Sequence, residues 1–223
     1  MMSKNKIDPE FMPENTRLVF NTLASKPFIK KFSLIGGTAL SLQIHHRLSE
    51  DLDFIFDGEK LPLSLITNNV LKTFSDARIV RQDNSYQIDF VVNNVRLTFF
   101  AGESALIFFP VIEHTFCYQN INIANYTIIG SLKLAAIAQR NTIRDYFDLY
   151  WLTKNYLSLE SLIEQTKKLI PGLSPITYTE TLIYTKDIEE YSISDHLAPA
   201  ITITKEDISD FFISELRNIY KSG

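Results

Sequence analysis

The chain has 223 residues, of which 45% are hydrophobic and 22% are charged, a composition typical of globular domains that bury a core. Its formal net charge of −4 argues against a protein that coats nucleic acid through bulk positive charge, but it leaves room for a local basic groove. No apolar run approaches the roughly 18 residues of a membrane span. Because the N-terminus also carries no apolar signal region, the cytoplasm is the expected location.

The single cysteine and the N-terminal segment each give a further prediction. A single cysteine, Cys117, excludes an internal disulfide framework and is predicted to be a buried small hydrophobe rather than a reactive thiol. Residues 1–11 are polar and are expected to be a leader that is disordered or was introduced in cloning.

The N-terminal half carries alternating helix and strand signals. Helical spacing ends at Lys26-Pro27, and a short apolar run leads into Gly36-Gly37. Asn93-Asn94 is a turn-forming pair that joins the last two strands. In chain order, the predicted elements are a helix at 14–25, a strand at 32–35, a helix from Thr38 to about His46, a strand at 51–56, a helix at 61–75 and two or three strands within 78–100.

Beyond Asn125 the pattern becomes mainly helical, with helices predicted at 131–140, 143–156, 158–169 and 205–220. The whole chain is therefore predicted to be α+β. We expect a core at 12–124 and a helical C-terminal part at 125–223 that packs on it.

The segment from Lys133 to Asp148 has two interpretations. On one continuous helix, Lys133, Arg140 and Arg144 would form a basic stripe for phosphate. Thr142-Ile-Arg-Asp145 resembles a capping box, however, so we prefer two helices with a break near Thr142. Lys133 and Asp148 would then come from successive helices and face the N-terminal sheet. The alternative is that Arg144 and Asp148 are an i,i+4 pair on a solvated face.

Asp51 and Asp53 are the first candidate site. Successive side chains of a strand point to opposite faces, so these two carboxylates share one face while Leu52 and Phe54 point into a core. Adjacent carboxylates repel, and a hard cation such as Mg²⁺ removes the repulsion because it prefers oxygen ligands. The alternative is that the pair is simply the wet face of an edge strand.

Gly36-Gly37 precedes this strand and lies between a predicted strand and a predicted helix. Two glycines allow the backbone to approach a phosphate closely. A helix beginning at Thr38 offers backbone N–H groups and a positive dipole end to an anion. With Arg47 and the acidic strand, this unit is a candidate phosphate and metal site. An ordinary tight turn with Thr38 as the helix cap is the alternative.

Residues 35–54, IGGTALSLQIHHRLSEDLDF, closely resemble the signature of the AbiEii/AbiGii toxin family. The resemblance continues in GSLKLAAIAQR at 130–140 and in RDYFDLYWL at 144–152. These families are bacterial abortive-infection and type IV toxin–antitoxin proteins within the DNA polymerase β-like nucleotidyltransferase superfamily. The resemblance implies a nucleotidyltransferase fold, a small mixed sheet flanked by helices, followed by a helical C-terminal part.

The resemblance also assigns site residues. It implies Mg²⁺ or Mn²⁺ at Asp51 and Asp53, with Asp148 supporting the site. It implies contacts with the nucleotide phosphates for Gly37, Thr38 and Lys133, and Gly36 is the other residue of the glycine turn. Arg47 and Ser49 fall where the family also has Arg and Ser, and each is a candidate either for a phosphate contact or for a salt-bridging role. Members of the family transfer nucleotides from NTPs, some of them onto tRNA ends, and are inhibited by a cognate antitoxin.

The chain departs from the superfamily at the third carboxylate, which a later strand usually supplies. The aligned position is Thr98, and a threonine is not a general base near neutral pH. If Asn93-Asn94 is a two-residue turn, Asp89 lies opposite Thr98 and becomes a substitute metal ligand. A register shift of one residue would instead turn Asp89 to the other face and leave it a surface aspartate.

We therefore expect a metal-dependent nucleotidyltransferase that acts on an RNA end or on a protein hydroxyl, with an antitoxin as its partner and no membrane. A catalytically degenerate nucleotide-binding module that acts through a partner protein is the alternative, and Thr98 is its best support. A small-molecule nucleotidyltransferase is a third option.

Overall fold

The computed structural model describes residues 7–102, 107 and 109–222. The chain divides into two compact units, Met1–Tyr126 and Thr127–Gly223. Of the predicted leader, residues 1–6 lie outside the described residues. Pro9–Phe11 form a 3-10 helix, and the Asp8 N–H donates to the Leu42 carbonyl at 3.2 Å. In the described part of the chain, no helix is long and apolar enough to cross a membrane.

The first unit is built on a mixed sheet. The described residues contribute seven strands, in the order β3-β4-β5-β2-β1-β7-β6. The strands are β1 Ser33–Ile35, β2 Leu52–Phe56, β3 Arg78–Asp83, β4 Gln87–Val92, β5 Val95–Ala101, β6 Thr115–Tyr118 and β7 Ile121–Ala124. β1 runs parallel to β7 and β2 parallel to β5, whereas the other neighbours are antiparallel. The predicted mixed sheet is therefore confirmed.

Three helices of this unit match predicted ones. They are α1 Glu14–Ala24, α2 Gly36–Ile44 and α3 Leu63–Thr73. The start of α2 was predicted two residues too late, because the helix begins at the glycine pair itself. Gly36 takes up a positive φ of 75° at this first position, a conformation in which side chains other than glycine are strained. The first two residues of α2 are therefore glycines, and they directly follow the last residue of β1.

One face of the sheet is apolar and buried. Leu34, Phe54, Phe90 and Phe99 are fully buried, and the rings of Phe54 and Phe99 stack with centroids 5.4 Å apart. Phe54 directly follows Asp53 on β2, and Phe90 directly follows Asp89 on β4, so the phenylalanines and the aspartates point to opposite faces. Burial of one face thus sets the register of the strands and leaves the opposite face for polar side chains.

Strands β6 and β7 were not predicted. Each has only four residues, which is too short for alternation to give a clear signal. Cys117 lies on β6, at the edge of the sheet, and is exposed. The prediction that Cys117 is a buried hydrophobe was therefore wrong, because it assumed a core position for a residue that lies on an edge strand.

The second unit is helical around its own core. Its helices are α4 Tyr126–Ala136, α5 Ile143–Asn155, α6 Leu159–Leu169, α7 Pro175–Ile183 and α8 Lys205–Ser222, where α4 begins one residue before the unit does. Large aromatic side chains such as Tyr146, Tyr178 and Phe212 fill the core and are fully buried. The predicted break near Thr142 is confirmed. Helix α7 was missed because its β-branched residues favour a helix only weakly.

Candidate active site

Asp53 lies on β2, and Asp51 directly precedes that strand. Asp53 lies between Ile35 of β1 and Thr98 of β5 in the register of the sheet. Both aspartates are partly exposed, whereas Leu52 between them is fully buried. The alternation inferred from the sequence is therefore the alternation observed. Two carboxylates on adjacent same-face positions meet solvent together.

The glycine pair at the start of α2 lies against these residues. A Cβ atom added at Gly36 would lie 2.8 Å from Asp53 Oδ2. A Cβ atom added at Gly37 would lie 2.6 Å from Arg47 Nη2 and 2.8 Å from Ser49 Oγ. These separations are shorter than a van der Waals contact. The missing side chains therefore allow Asp53 on one side, and Arg47 with Ser49 on the other, to approach the helix start.

Thr38, Arg47 and Ser49 are buried around this helix start. The Thr38 hydroxyl donates to the backbone carbonyl of Asp51, which links the first turn of α2 to the residue that precedes β2. Arg47 Nη1 donates to the Leu48 carbonyl at 2.8 Å. These bonds hold the α2–β2 connection in shape. The contacts of the three residues with a nucleotide stay predictions.

The hairpin register is as predicted. Asn93 and Asn94 both have positive φ, Val92 pairs with Val95, and Asp89 pairs with Thr98. Asp89, Thr98 and Asp53 therefore lie side by side on three neighbouring strands, and cross-strand partners share a face. Asp89 nevertheless differs from the other two acids, because it is fully buried.

Arg96 is the site residue that the sequence analysis missed. Its guanidinium donates to Asp89 Oδ2, and Gln87 Nε2 donates to Asp89 Oδ1 at 2.8 Å. The pKa of Arg96 is raised, first by this hydrogen bond and further by the charges of Asp89, Asp51 and Asp53, against an opposing effect of burial. Arg96 lies two residues before Thr98, so the alternation that located Asp89 could have located it too.

The donor set fits a divalent cation that also binds substrate. Across the described ranges, no group of three or more His, Cys, Asp or Glu side chains is arranged to hold a metal ion. Mg²⁺ is commonly bound by one or two carboxylates with waters and substrate phosphates, so Asp51 and Asp53 suffice for that arrangement. Asp89, whose carboxylate already accepts from Arg96 and Gln87, remains a predicted ligand.

A Gly36→Ala substitution should disturb this geometry strongly. The positive φ would cost roughly 1–2 kcal/mol of stability, and the new methyl group would displace the Asp53 carboxylate. Because misplacement of a reacting group by about 1 Å can cost 10²-fold in rate, we expect nucleotide transfer to fall by about that factor. Gly172→Ala is the matched control, since nothing lies within 4 Å of the added Cβ. Wild-type transfer by Gly36→Ala would contradict the importance of this contact.

In the helical unit, Lys133 lies between two carboxylates. Its Nζ is 2.8 Å from Asp145 Oδ1 and 2.6 Å from Asp148 Oδ2, and all three side chains are buried. Arg140 Nε and the Thr142 hydroxyl also donate to Asp145 Oδ2, each at 2.8 Å. The sequence predicted a nucleotide contact for Lys133 and a supporting role for Asp148, but it did not indicate Asp145 as a partner of Lys133. Contact of Lys133 with nucleotide phosphates stays a prediction.

Because of this cluster, the free energy of unfolding should fall at acid pH. Burial alone would raise the pKa of Asp145, but Lys133 and Arg140 outweigh it and lower that pKa to about 2. Because the folded-state pKa is depressed, the stabilisation is complete above about pH 4 and is lost as pH falls toward 2. It amounts to about 2 kcal/mol. In urea titrations at pH 7, 4 and 2.5, the stability gap between wild type and Asp145→Asn should narrow below pH 4. A constant gap would contradict the assignment.

The sequence model of the nucleotidyl transferase AbiEii toxins of type IV toxin–antitoxin systems matches residues 17–171. The chain belongs to this family. An uncharacterized protein of Aquifex aeolicus is 27% identical over 204 residues, which cover 90% of this chain and 94% of that protein. The AbiEii match spans both the glycine–aspartate segment and the Lys133 cluster.

Solved structures are similar to this chain at low sequence identity. A candidate nucleotidyltransferase from H. pylori aligns with a TM-score of 0.55 and 19% identity, covering 99% of this chain and 97% of that one. MenT4, a nucleotidyltransferase toxin from Mycobacterium tuberculosis, aligns with a TM-score of 0.48 and 10% identity over 91% of this chain and 84% of its own. The predicted α+β nucleotidyltransferase fold is confirmed.

Proposed function

We propose that this AbiEii-family chain is a metal-dependent nucleotidyltransferase that moves a nucleotide from an NTP to an RNA end or a protein hydroxyl. The observation that supports the proposal is the alternation at the start of β2: Asp51 and Asp53 are partly exposed, Leu52 between them is buried, and Asp53 lies beside Gly36 at the start of α2. Family membership supports nucleotide transfer as the type of reaction.

The two carboxylates would hold the metal. They offer oxygen ligands from adjacent same-face positions, and the fixed strand keeps their spacing constant. With Mg²⁺ or Mn²⁺ bound there, these carboxylates would add Lewis-acid stabilisation of the charge that develops in the transition state. Thr38 supports this arrangement, because its hydroxyl donates to the backbone carbonyl of Asp51.

The start of α2 would hold the triphosphate. Backbone N–H groups of a helix's first turn and the positive end of the helix dipole both favour an anion. Gly36 and Gly37, which lack side chains, let Asp53, Arg47 and Ser49 approach this helix start closely. The guanidinium of Arg47 lies beside Gly37 and adds a positive charge there. Positioning of this kind can supply much of the rate enhancement of a displacement at phosphorus.

The acceptor hydroxyl must lose a proton during transfer. Thr98 occupies the position of the usual third carboxylate, and Asp89 beside it is already bound by Arg96 and Gln87. We infer that positioning and charge stabilisation contribute more to catalysis here than a general base does. Asp89 is the candidate substitute for the third carboxylate.

The test is a labelling assay. The protein is incubated with each of the four α-³²P-labelled NTPs, Mg²⁺ or Mn²⁺, total RNA and a protein extract, and RNA and protein are then separated. Label in either fraction that disappears with EDTA supports the proposal and identifies the acceptor class. Binding of an NTP without any transfer favours the alternative, a nucleotide-binding module, for which Thr98 is the supporting observation.

The biological role proposed with this activity is that of a toxin held in check by an antitoxin. Membership of a type IV toxin–antitoxin family supports this role. Growth arrest on induced expression, lost in the Asp51→Asn variant, would support it.

A further inference from the structure

We infer that Arg78, Arg81 and Arg96 form a phosphate-binding row that guides a single strand of acceptor RNA across the sheet toward Asp51 and Asp53. The inference rests on the proposed function, because it specifies the acceptor of the same site. The three arginines are called the guanidinium row below.

The register of the sheet puts the row on the face of the carboxylates. Arg78 pairs with Val91, which pairs with Arg96. Arg81 pairs with Asp89, and from there the pairing continues through Thr98 to Asp53. Since cross-strand partners share a face, the three arginines and Asp53 lie on one face of the sheet. The line from Arg78 ends at Arg96 on β5, next to β2, and the line from Arg81 leads to Asp53.

The distance between the arginines across the sheet suits an extended single strand of RNA. Neighbouring strands lie about 4.8 Å apart, so the backbones of Arg78 on β3 and Arg96 on β5 are separated by about 10 Å. Strand β5 is the direct neighbour of β2. A strand of RNA whose end lies at the carboxylates would therefore cross β5, β4 and β3 on its way to the sheet edge.

The row is accessible. β3 is the edge strand, and all six of its residues are exposed. The side chain of Arg81 is 54% exposed and that of Arg96 is 53% exposed. Arg81 has a long contact with Asp83, at 3.9 Å, whereas Arg96 donates to Asp89. Neither partner encloses the guanidinium group, so both arginines can bind an additional anion.

Guanidinium chemistry favours phosphate as the occupant. The planar fork of an arginine matches phosphate oxygens in a bidentate geometry. Three arginines on one surface are notable in a chain of net charge −4, because general electrostatic attraction to nucleic acid is absent. The local basic groove that the composition left open is thus assigned to this part of the sheet. An acidic protein segment is the competing occupant, and the test below separates the two.

The test compares two double variants of equal charge. Arg78→Ala/Arg81→Ala removes the outer part of the row, and Lys30→Ala/Lys31→Ala removes two exposed lysines next to β1. Binding of a fluorescein-labelled single-stranded oligoribonucleotide and of bulk tRNA is followed by fluorescence anisotropy from 25 to 200 mM salt (about a threefold change in Debye length). Thermal unfolding checks that all proteins are folded.

We expect the arginine variant to bind RNA about tenfold more weakly at low salt. Its slope of log K against log salt should fall by about 1.4, which corresponds to two lost contacts with a single strand. In the labelling assay, KM for RNA should rise while KM for the NTP stays unchanged. The lysine variant should resemble wild type in each measurement.

Three outcomes would overturn the inference. The first is that wild type binds neither RNA, and the second is that the arginine and lysine variants lose affinity equally. The third is that label transfers to protein and that the arginine variant weakens this transfer, which would assign the row to an acidic protein segment. Failure of the proposed function is a separate result: RNA binding that depends on the row, without any nucleotide transfer, keeps the inference and removes the enzymatic activity.

Discussion

Asp51→Asn and Asp53→Asn should each lower metal-dependent nucleotide transfer by about 10³-fold. A bound metal contributes several kcal/mol of transition-state stabilisation, and about 1.4 kcal/mol corresponds to a factor of ten. An amide keeps the size of the side chain but removes the negative charge that binds the cation. Because both aspartates are partly exposed at the start of β2, the variants should fold normally. Initial rates of label transfer at saturating NTP measure the effect.

Asp210→Asn is the matched control, since Asp210 is an exposed aspartate on α8. Its rate should equal that of wild type. Asp89→Asn in the same assay decides whether the buried acid takes part: a loss as large as that of Asp53→Asn would make it the third carboxylate. Equal rates for wild type and for both the Asp51 and the Asp53 variants would refute the metal site.

Lys133→Met should destabilise the protein by about 3–5 kcal/mol. The substitution leaves Asp145 and Asp148 buried without the ammonium that lies 2.8 and 2.6 Å from them, and breaking a buried ion pair typically costs this much. Arg140 also contacts Asp145 and should offset part of the loss at that carboxylate. Urea denaturation followed by circular dichroism measures the free energy of unfolding.

Lys167→Met provides the comparison. Lys167 forms an exposed i,i+3 pair with Glu164, so its replacement should change stability little. The same pair of measurements separates the two roles of Lys133. If Lys133→Met keeps the wild-type free energy of unfolding but loses nucleotide transfer, the ion-pair cluster is not structural and the predicted contact with nucleotide phosphates is favoured.

The sequence by itself determined the local geometry of the candidate site. Period-two alternation fixed the common face of Asp51 and Asp53, because a strand with one buried face has no freedom to turn a single side chain over. The turn-forming pair Asn93-Asn94 predicted the register that puts Asp89 beside Thr98, and the structure shows this register and excludes the alternative shift of one residue. Both results depend on interactions between near neighbours in the chain.

Only the tertiary structure decided which partners the charged side chains have. It gave Asp89 the guanidinium of Arg96, gave Lys133 the second carboxylate of Asp145, and added β6 and β7 to the sheet, with Cys117 exposed at its edge. Periodicity states which face a residue occupies, but not which distant residue meets it there. That choice depends on the packing of elements far apart in the chain, where burial makes an unpaired charge costly and so selects the partner.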